Sequence, residues 1–471
     1  MDFLAAAGQQ IWQVLPLGPT GYGNSPYAAR SAFAGNPLLI SLDQLAADGL
    51  LSDEELPAIE PSDRVDFEAA APVKRAALRL AAQRFGERAD AGQRQAYDAF
   101  RADQAGWLDD YALFMAAHEA NGARPWTEWA PGLAAKDPTA LADFEGEHAE
   151  DLAFHCVTQF FFWRQWGWLR AYANQRGIRI MGDIPIFVAF DSADVWSQRG
   201  EFWLDQEGQP TVVAGVPPDY FSVTGQRWGN PLYRWEEMAT RGYGWWVERF
   251  RHLLRLVDIV RIDHFRGFAA YWEIPAANET AVEGRWAPGP GRDVFLAARA
   301  ALGEVPIVVE DLGLITPDVI ALREELGYPG MKVLQFAFDS GATNPFLPHG
   351  FEQNLVVYTG THDNDTTVGW FAERQGQERE YALSYLRADG SEIAWDLIRA
   401  AMASVADTAI APVQDVLELG TEARMNFPGR PEGNWAWRLR PGQLTDAHAL
   451  RLRELAEMYG RTPRPPENDG S

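Results

Sequence analysis

Seven short apolar runs, each rich in β-branched side chains and bounded by turn residues, recur along the chain. They occupy residues 11–17, 178–184, 257–262, 305–309, 332–336, 355–359 and 408–413. Runs that are apolar at almost every position predict strands buried on both faces, as in a parallel sheet.

Between most of these runs the apolar residues recur with a helical period. Two such sets are Val73, Ala76, Ala77, Leu80 and Ala81, and Leu108, Tyr111, Ala112 and Met115. Alternation of strands with helices predicts an α/β fold with a parallel sheet, either open or closed into a barrel.

The number of predicted strands is one fewer than the eight of a (β/α)₈ barrel. Residues 1–10 have the pattern of a helix end, which Gly8 closes immediately before the first apolar run. The chain therefore starts inside a strand–helix unit. We expect a (β/α)₈ barrel with inserted helical subdomains, whose first strand is missing from this chain.

Four regions of the chain differ in composition. We expect residues 1–41 to begin the barrel and residues 42–150, rich in alanine and acidic side chains, to form a helical insertion. Residues 151–460 continue the barrel and contain a second insertion near 187–245, which is loop-like and rich in glycine, proline and tryptophan. Residues 461–471 are polar and proline-rich and are predicted to be disordered.

The charge balance excludes several classes of partner. The chain has 41 basic and 66 acidic side chains, a net charge of −25. Binding to nucleic acids or anionic membranes needs clustered lysine and arginine, so we expect neither partner. The single cysteine, Cys156, excludes an intrachain disulfide and an all-cysteine metal cage. Since no secretory signal or long apolar run is present, the simplest compartment is the cytoplasm.

Aromatic residues are abundant, with 19 Trp, 14 Tyr and 25 Phe. Many stand beside glycine, asparagine or proline in predicted loops, as in the segment WGNP from Trp228. Any one of them is more often a packing residue than a ligand contact. Together they favour a ligand with flat apolar faces, a description that fits a sugar.

Acidic side chains stand where a barrel carries its working residues, at the C-terminal ends of strands. Those that follow predicted strands are Asp183, Asp263, Glu310 with Asp311, and Asp363. Because 66 of the 471 residues are acidic, about two such placements are expected by chance. A helix cap or a surface ion pair explains any single one as readily as catalysis does.

Two of these acids have informative neighbours. Arg261 and Asp263 are two apart on a predicted strand, so both project to the same side, and the guanidinium lowers the pKa of Asp263. Glu310 follows the apolar run 305–309, and apolar walls raise the pKa of a carboxyl, which suits a general acid. One ionised and one protonated carboxyl on facing strand ends are the groups that a retaining glycosidase uses.

Other motifs favour different chemistry less strongly. The segment HDND from His362 has the composition of a metal loop, but no second histidine stands at ligand spacing. The segment GPTGYG from Gly18 lacks the lysine of a P-loop and the glycine spacing of a dinucleotide site, which favours a structural turn. A G-x-S-x-G nucleophile elbow does not occur in the sequence.

Several longer strings are distinctive. They are IWQVLPLGPTGYGNSPY from Ile11, GDIPIFVAFDSADVW from Gly182, GVPPDYFSVTGQRWGNPLY from Gly215, VRIDHFRG from Val260, VVEDLG from Val308 and TGTHDND from Thr359. In this order they resemble the amylomaltase family, the bacterial 4-α-glucanotransferases, from Ile11 to about Asn434. The resemblance implies a (β/α)₈ barrel of the α-amylase-like retaining glycosidases, without a metal or an organic cofactor.

The resemblance also implies catalytic roles. Asp263 matches the nucleophile that forms a β-glucosyl-enzyme, and Glu310 matches the acid/base. Asp363 is similar to the third acid, which binds sugar hydroxyls and stabilises the transition state. Arg261 matches the arginine that supports the nucleophile.

Substrate contacts are implied in the same way. The residues that match sugar contacts in the donor subsite are Tyr27, Asp183 and His362. The segment from Asp219 to Asn230 resembles the loop that covers the acceptor side of the cleft. Its residues that match substrate contacts are Asp219, Tyr220, Trp228 and Asn230.

The expected activity is transfer of α-1,4-glucan segments to the 4-hydroxyl of an acceptor glucan or glucose, with maltooligosaccharides and linear α-1,4-glucans as partners. Two alternatives stay open. One is a hydrolytic α-glucosidase that uses the same three acids. The other is an inactive, truncated glucan-binding protein, because family members open with a further segment, a first barrel strand and its loop, ahead of the helix that here begins at Met1.

Overall fold

A mixed set of parallel and antiparallel strands forms the framework of the molecule. The structure, a computed structural model, describes residues 1–58, 62–218, 222–430 and 432–462. The strands are β1 (Ile11–Gln13), β2 (Arg179–Pro185), β3 (Val212–Val216), β4 (Gln226–Pro231), β5 (Ile259–Asp263), β6 (Ala270–Pro275), β7 (Arg285–Pro288), β8 (Ile307–Val309), β9 (Gly330–Val333), β10 (Leu355–Tyr358) and β11 (Thr408–Ile410).

Helices fill most of the chain between these strands. The first eight are α1 (Asp2–Ala6), α2 (Leu42–Ala47), α3 (Phe67–Arg88), α4 (Ala91–Asp103), α5 (Leu108–Ala120), α6 (Pro131–Ala134), α7 (Pro138–Glu147) and α8 (Ala149–Gln175). The others are α9 (Ala193–Ser197), α10 (Trp235–Thr240), α11 (Gly244–Leu256), α12 (Arg266–Ala269), α13 (Asp293–Leu302), α14 (Pro317–Leu326), α15 (Thr367–Glu373), α16 (Gly376–Leu386), α17 (Ile393–Ala403), α18 (Val413–Val416) and α19 (Asp446–Met458).

The parallel strands follow one another in the order β1-β2-β5-β8-β9-β10-β11. Backbone pairing joins the first four and the last three, and the Val309 amide of β8 donates to the Pro329 carbonyl just before β9 at 2.9 Å. These are the expected barrel strands. In a closed barrel an eighth strand would lie between β11 and β1.

The array is open at that position. Within the described residues β1 pairs only with β2, and β11 pairs only with β10. A cavity of about 490 Å³ lies between the two strands, and its walls include Ile11 and Gln13 of β1 and Ala409 and Ile410 of β11. The barrel of this structure is therefore not closed.

Several strands are shorter than predicted, and β1 and β9 show two reasons. β1 ends at Gln13, ahead of Pro16, which has no amide hydrogen to donate to a neighbouring strand. β9 ends at Val333, and Leu334–Phe336 form a turn of 3₁₀ helix. In this turn the side-chain amide of Gln335 donates a hydrogen bond of 2.9 Å to the backbone carbonyl of Asp365. This bond connects the turn to the loop after β10.

The helical insertion packs against α8. Helices α2 to α7 lie within residues 42–150, and α3 and α5 both contact α8. The predicted boundary at residue 150 falls in the first turn of α8, a helix of 27 residues. Its buried Trp166 donates an indole hydrogen bond of 2.8 Å to the Leu256 carbonyl at the end of α11, so this helix joins the insertion to the barrel.

The structure corrects the loop-like interpretation of residues 187–245 for part of that insertion. β3 and β4 lie there and join β6 and β7 in an antiparallel sheet of order β4-β3-β6-β7. Sequence patterning missed them because glycine weakens the strand signal. Gly215 of β3 approaches the partner strand so closely that a Cβ atom would stand 2.2 Å from the Gln226 carbonyl oxygen.

The predicted disordered tail also needs correction at its first residue. Arg461 donates side-chain hydrogen bonds to the carbonyls of Met402 (2.7 Å) and Ser404 (2.9 Å), and its own carbonyl accepts one from Gln10 at 2.7 Å. Residues 463–471 lie outside the described part of the chain. No helix in the described part has the length and apolarity needed to cross a bilayer.

Candidate active site

Strand register sets the positions of the acids at the centre of the barrel. Asp183 of β2 lies directly beside Arg261 of β5, and Asp263 lies beside Pro185. Ile262 pairs with Val309 of β8, so Glu310 follows β8 at the level of Asp263. These side chains occupy the C-terminal ends of neighbouring parallel strands, where barrels carry their working residues.

Arg261 links two of the acids. Its Nη1 donates to Asp183 Oδ2 at 2.6 Å and to Asp263 Oδ1 at 3.1 Å, and its Nε contacts Met331 Sδ at 3.4 Å. The side chains of Arg261 and Asp183 are almost wholly buried, whereas that of Asp263 keeps 29 % of its surface exposed. Asp263 is therefore the member of this group that a substrate in the cleft can reach.

The carboxyls around Arg261 influence one another. Burial raises the pKa of Asp263, Arg261 lowers it, and the charges of Asp183, Glu310 and Asp363 raise it further. The predicted lowering of the Asp263 pKa by Arg261 is present, but burial and the neighbouring acids outweigh it, so the net shift is upward. Since the charge of Glu310 is among the causes of this shift, the protonation of Asp263 depends on that of Glu310.

Glu310 is oriented by backbone amides. Its Oε2 accepts from His264 N at 2.8 Å and its Oε1 from Leu312 N at 2.9 Å. His264 adopts a φ of 53°, a left-handed conformation uncommon for a side-chain-bearing residue. Burial raises the pKa of Glu310 to about 7, although Arg261 and the two amides oppose the shift. The carboxyl is thus poised to give and take a proton near neutral pH.

Asp363 lies in the loop that follows β10 and is more open than the other acids, with half of its side chain exposed. Asn426 Nδ2 donates to its Oδ1 at 2.6 Å, and Arg424 Nη2 donates to its backbone carbonyl at 2.7 Å. His362 Nε2 stands 3.4 Å from the same Oδ1. A segment more than sixty residues along the chain therefore sets the orientation of this carboxylate.

A buried carboxylate holds the base of the same loop. Asp415 Oδ2 accepts from the hydroxyls of Thr359 (2.6 Å) and Thr367 (2.7 Å), and its Oδ1 accepts from the Thr367 amide at 2.7 Å. Thr359 precedes the loop and Thr367 starts α15. Asp415 thus joins both ends of the segment that carries His362 and Asp363.

Aromatic rings form a wall beside these acids. Tyr27 stacks on His362 with ring centroids 5.1 Å apart, and Trp435 lies against both rings at 5.9 and 5.8 Å. The Tyr27 hydroxyl donates to Asp183 Oδ2 at 2.7 Å, the oxygen that Arg261 also contacts. Burial lowers the pKa of His362, so its ring is neutral near pH 7. It stacks on Tyr27, and Trp435 is tilted by 43° and 37° against the two rings, which gives the site aromatic surface of the kind that sugars pack against.

The predicted acceptor-side residues are only partly within the described chain. Trp228 on β4 is 39 % exposed and meets His264 edge-on at a centroid distance of 4.8 Å, which connects it to the Glu310 loop. Asn230 on the same strand donates its side-chain amide to the Val188 carbonyl at 2.8 Å. Asp219 and Tyr220 lie outside the described residues.

Sequence reasoning missed part of this site. Asn426, Arg424, Asp415 and Trp435 all come from the last sixty residues of the chain. Asp415 lies in the four-residue helix α18 and the other three lie outside helices and strands, so none of them belongs to a periodic segment. They act through contacts to residues far away in sequence, which no local pattern encodes. Trp435 has a positive φ of 61°, but the WAW segment around it gives no sign of which site it faces.

Comparisons with known proteins give matches over nearly the whole chain. The sequence profile of the 4-alpha-glucanotransferase family (glycoside hydrolase 77) matches residues 1–445. The 4-alpha-glucanotransferase of Thermus thermophilus is 55 % identical over 469 residues, covering 98 % of this chain and 93 % of the relative. That of Synechocystis is 50 % identical over 467 residues, covering 98 % and 92 %.

A solved structure gives the same result for the fold. The amylomaltase from Streptococcus agalactiae in complex with acarbose superposes with a TM-score of 0.95 at 37 % identity, covering 98 % of this chain and 94 % of that one.

Proposed function

Since the chain belongs to the 4-alpha-glucanotransferase family, we propose that it transfers α-1,4-glucan segments by a retaining double displacement with Asp263 as nucleophile and Glu310 as acid/base. Family membership makes the chain a glucan-transferring enzyme, and the residue roles are our proposal. The observation that carries the roles is the placement of Arg261 against Asp263, next to a Glu310 whose pKa burial raises to about 7.

The first displacement cleaves the donor glucan. An Asp263 carboxylate oxygen attacks C1 of the donor sugar, while Glu310 gives its proton to the glycosidic oxygen of the leaving chain. The C1–O bond breaks and a β-glucosyl ester of Asp263 forms. Because the pKa values of Asp263 and Glu310 are both raised, we propose that the two carboxyls share one proton. The reaction needs this proton on Glu310, while the hydrogen bond from Arg261 stabilises the ionised form of Asp263.

The second displacement rebuilds a glycosidic bond. Glu310, now ionised, takes the proton from the 4-hydroxyl of an acceptor sugar, whose oxygen attacks C1 and releases Asp263. Two inversions at C1 give net retention of the α-configuration. The same carboxyl must release and then regain a proton in each cycle, and a pKa near the working pH suits both steps.

Asp363 binds the donor sugar and forms no covalent bond to it, whereas Asp263 and Glu310 carry out the two displacements. Asn426 and Arg424 hold it beside His362 at the mouth of the cleft. We assign it to the donor-sugar hydroxyls and to stabilisation of the positive charge that develops at C1. Tyr27 and His362 are our candidates for contacts to the same donor sugar. The predicted contact of Asp183 with the sugar is replaced by an indirect role, because its buried side chain accepts hydrogen bonds from Arg261 and Tyr27. Trp228, whose side chain is partly exposed, is our candidate on the acceptor side.

We propose maltooligosaccharides and linear α-1,4-glucans as substrates and the cytoplasm as the compartment. The relative from Streptococcus agalactiae was solved with acarbose bound, which supports an oligosaccharide ligand. A single buried cysteine, Cys156, suits a reducing compartment.

Incubation with maltotriose tests the proposal. We expect the chain to convert maltotriose into both shorter and longer oligosaccharides, resolved as a ladder by chromatography. Asp263→Asn should abolish the ladder while the protein stays folded by circular dichroism. The matched control is Asp446→Asn, a surface aspartate in the first turn of α19, which should behave like the parent.

The outcomes separate transfer from its alternatives. Products that are only shorter than maltotriose would show hydrolysis in place of transfer. A ladder that persists in Asp263→Asn would reject the nucleophile assignment. Binding of maltotriose by a folded parent chain, without any conversion, would favour a glucan-binding protein.

A further inference from the structure

A second cavity lies apart from the catalytic acids, at the junction of the helical insertion with the barrel. Its volume is about 370 Å³, within the range of about 300–1,000 Å³ typical of small-molecule sites. Its walls come from the segment between α4 and α5, the end of α9 and one side of α11, and include Trp107, Ser197 and Trp245. Junctions between domains are frequent positions for ligand sites.

One wall of this junction cavity is aromatic. Phe33 lies between Trp107 and Trp245, with ring centroids 6.3 and 6.0 Å away, and its ring is 5.2 Å from that of His252. Phe33 is buried, whereas both indoles are only partly covered. The cavity thus presents apolar ring surface of the kind that packs against the flat face of a sugar.

The junction cavity also carries polar groups with spare hydrogen-bonding capacity. Ser197 and Gln198 are partly exposed, and their side chains have no hydrogen-bond partner among the residues that the structure describes. Two buried wall atoms, Glu201 Oε2 and His252 Nε2, also lack a partner within the described chain. Burial lowers the pKa of His252 to about 3 while the ring bonds the Phe33 backbone, so the imidazole is neutral.

Charges at the rim are already paired with one another. The pairs are Arg255 with Asp103 (2.6 Å), Arg241 with Glu201 (2.6 Å), Arg251 with Glu248 (3.2 Å) and Lys136 with Asp110 (2.5 Å). An ionic ligand would have to break such a pair, whereas a neutral polyhydroxylated ligand would not. Size, ring surface and free hydrogen-bonding groups therefore all fit a neutral sugar.

We propose that the junction cavity is a second carbohydrate site, which binds one or two glucose units of an α-1,4-glucan outside the catalytic cleft. The two sites are close but separate. A third cavity of about 60 Å³ is lined by Tyr27 and Asp183 of the catalytic site and also by Phe33 and His252 of the junction cavity. Since the site uses none of the catalytic carboxyls, it goes beyond the proposed mechanism.

Fluorine NMR of the full chain labelled with 5-fluorotryptophan tests this site directly. The Asp263→Asn background prevents turnover, and maltose is the probe. The resonance that disappears in Trp107→Phe reports the junction cavity, and the one that disappears in Trp228→Phe reports the cleft. We expect the Trp107 resonance to shift saturably with maltose, at a midpoint different from that of Trp228.

A double variant links the shift to the polar wall. Ser197→Ala with Gln198→Ala removes groups that make no side-chain hydrogen bond to other described residues, so the fold should persist. It should weaken the Trp107 response about tenfold and leave the Trp228 response unchanged. Gln377→Ala, which removes an exposed amide on α16, is the matched control and should change neither.

Two results would overturn the proposal. One is a Trp107 resonance that stays fixed while Trp228 responds to maltose. The other is a Trp107 shift that follows the Trp228 midpoint and ignores the double variant, which would mean a signal relayed from the cleft. Neither result depends on glucan transfer, because the proposed function is measured separately as the maltotriose ladder of the chain with Asp263 intact.

Discussion

Glu310 combines two features that rarely occur in one carboxyl. Backbone amides of His264 and Leu312 fix both of its oxygens, which favours the ionised form, yet burial dominates and raises its pKa to about 7. The amides therefore set the direction of proton transfer, while burial sets the pH at which it occurs.

This balance predicts the alkaline limb of the pH profile. Because the pKa of Glu310 is raised to about 7, the carboxyl is protonated below that pH and loses its proton above it. The kcat/KM for transfer from maltotriose should fall as the pH rises beyond about 7. Glu310→Gln should remove this limb and lower the rate about 10²- to 10⁴-fold; initial rates between pH 5 and 9 measure both.

A substrate that needs no acid provides the control. Maltosyl fluoride has a leaving group that departs without protonation, so it should restore formation of the glucosyl-enzyme in Glu310→Gln. Asp263→Asn should gain nothing from it. An unchanged alkaline limb in Glu310→Gln would assign that limb to another group.

Asn426 is a positioning residue for the third acid. Its amide is the one side-chain donor within 3 Å of the Asp363 carboxylate in the described chain, and a hydrogen bond to a charged group contributes about 1.5–3 kcal/mol. Asn426→Ala should lower kcat about 10- to 100-fold with a smaller effect on KM, since oriented charge matters most in the transition state. Steady-state kinetics with maltotriose measure the separate effects on kcat and KM.

The matched control is Asn354→Ala, which removes an exposed asparagine whose amide donates to the Gly327 carbonyl at 3.2 Å. It should leave kcat and KM near the parent values. Loss of kcat in both variants, or a change confined to KM in Asn426→Ala, would contradict the positioning role.

At the scale of elements, the loop between β10 and α15 depends on one buried carboxylate. Asp415 accepts hydrogen bonds from Thr359 before the loop and from Thr367 after it. Asp415→Ala leaves these donors buried and unpaired, at a cost of about 1–3 kcal/mol for each such group. We expect the free energy of unfolding to fall by about 2–4 kcal/mol and kcat to fall with it, measured by urea denaturation and maltotriose kinetics.

Asp389→Ala is the control for that experiment. Asp389 also accepts from a hydroxyl and an amide, both of Ser391, but it is exposed to solvent. Water replaces those bonds when the carboxylate is removed, so stability should change by less than about 0.5 kcal/mol. Equal losses in the two variants would mean that burial of Asp415 is irrelevant to its role.

The elements that the sequence predicts well are those whose signal is local. The run at β10 is apolar at nearly every position and the run at β2 has three isoleucines and a methionine among its seven residues; both are largely buried strands in the structure. β3 and β4 escaped prediction because glycine and polar residues break their runs. The pairing of β3 depends on Gly215 having no side chain, a requirement that exists only once the partner strand is in place.

The candidate site divides along the same line. Asp263 and Glu310 stand at strand ends, so a strand prediction together with the barrel rule identifies them. The same rule identifies Asp363, which stands shortly beyond the run 355–359, but it does not identify its partner Asn426. Contacts between residues 363 and 426 depend on how a non-periodic turn folds back over the barrel, which hydrophobic patterning does not describe.

At the scale of the molecule, the open side of the barrel leaves two strands with one unpaired edge each. Strands β2 and β5 have neighbours on both sides, whereas β1 and β11 have one in the described chain. The open edges of β1 and β11 border a cavity of about 490 Å³. Backbone amides at such an edge need a smaller local opening of the structure before they exchange their hydrogen than amides in a central strand do.

Hydrogen exchange measured by mass spectrometry should therefore show exchange rates that differ between the edge strands and the central strands of the barrel. Peptides that cover β1 and β11 should exchange about 10- to 100-fold faster than those that cover β2 and β5. β7, an edge strand of the antiparallel sheet, is the internal reference for an ordinary edge, and β1 should exchange at least as fast. Protection of β1 and β11 equal to that of β2 would show that their open edges are paired in solution, which would contradict the open barrel.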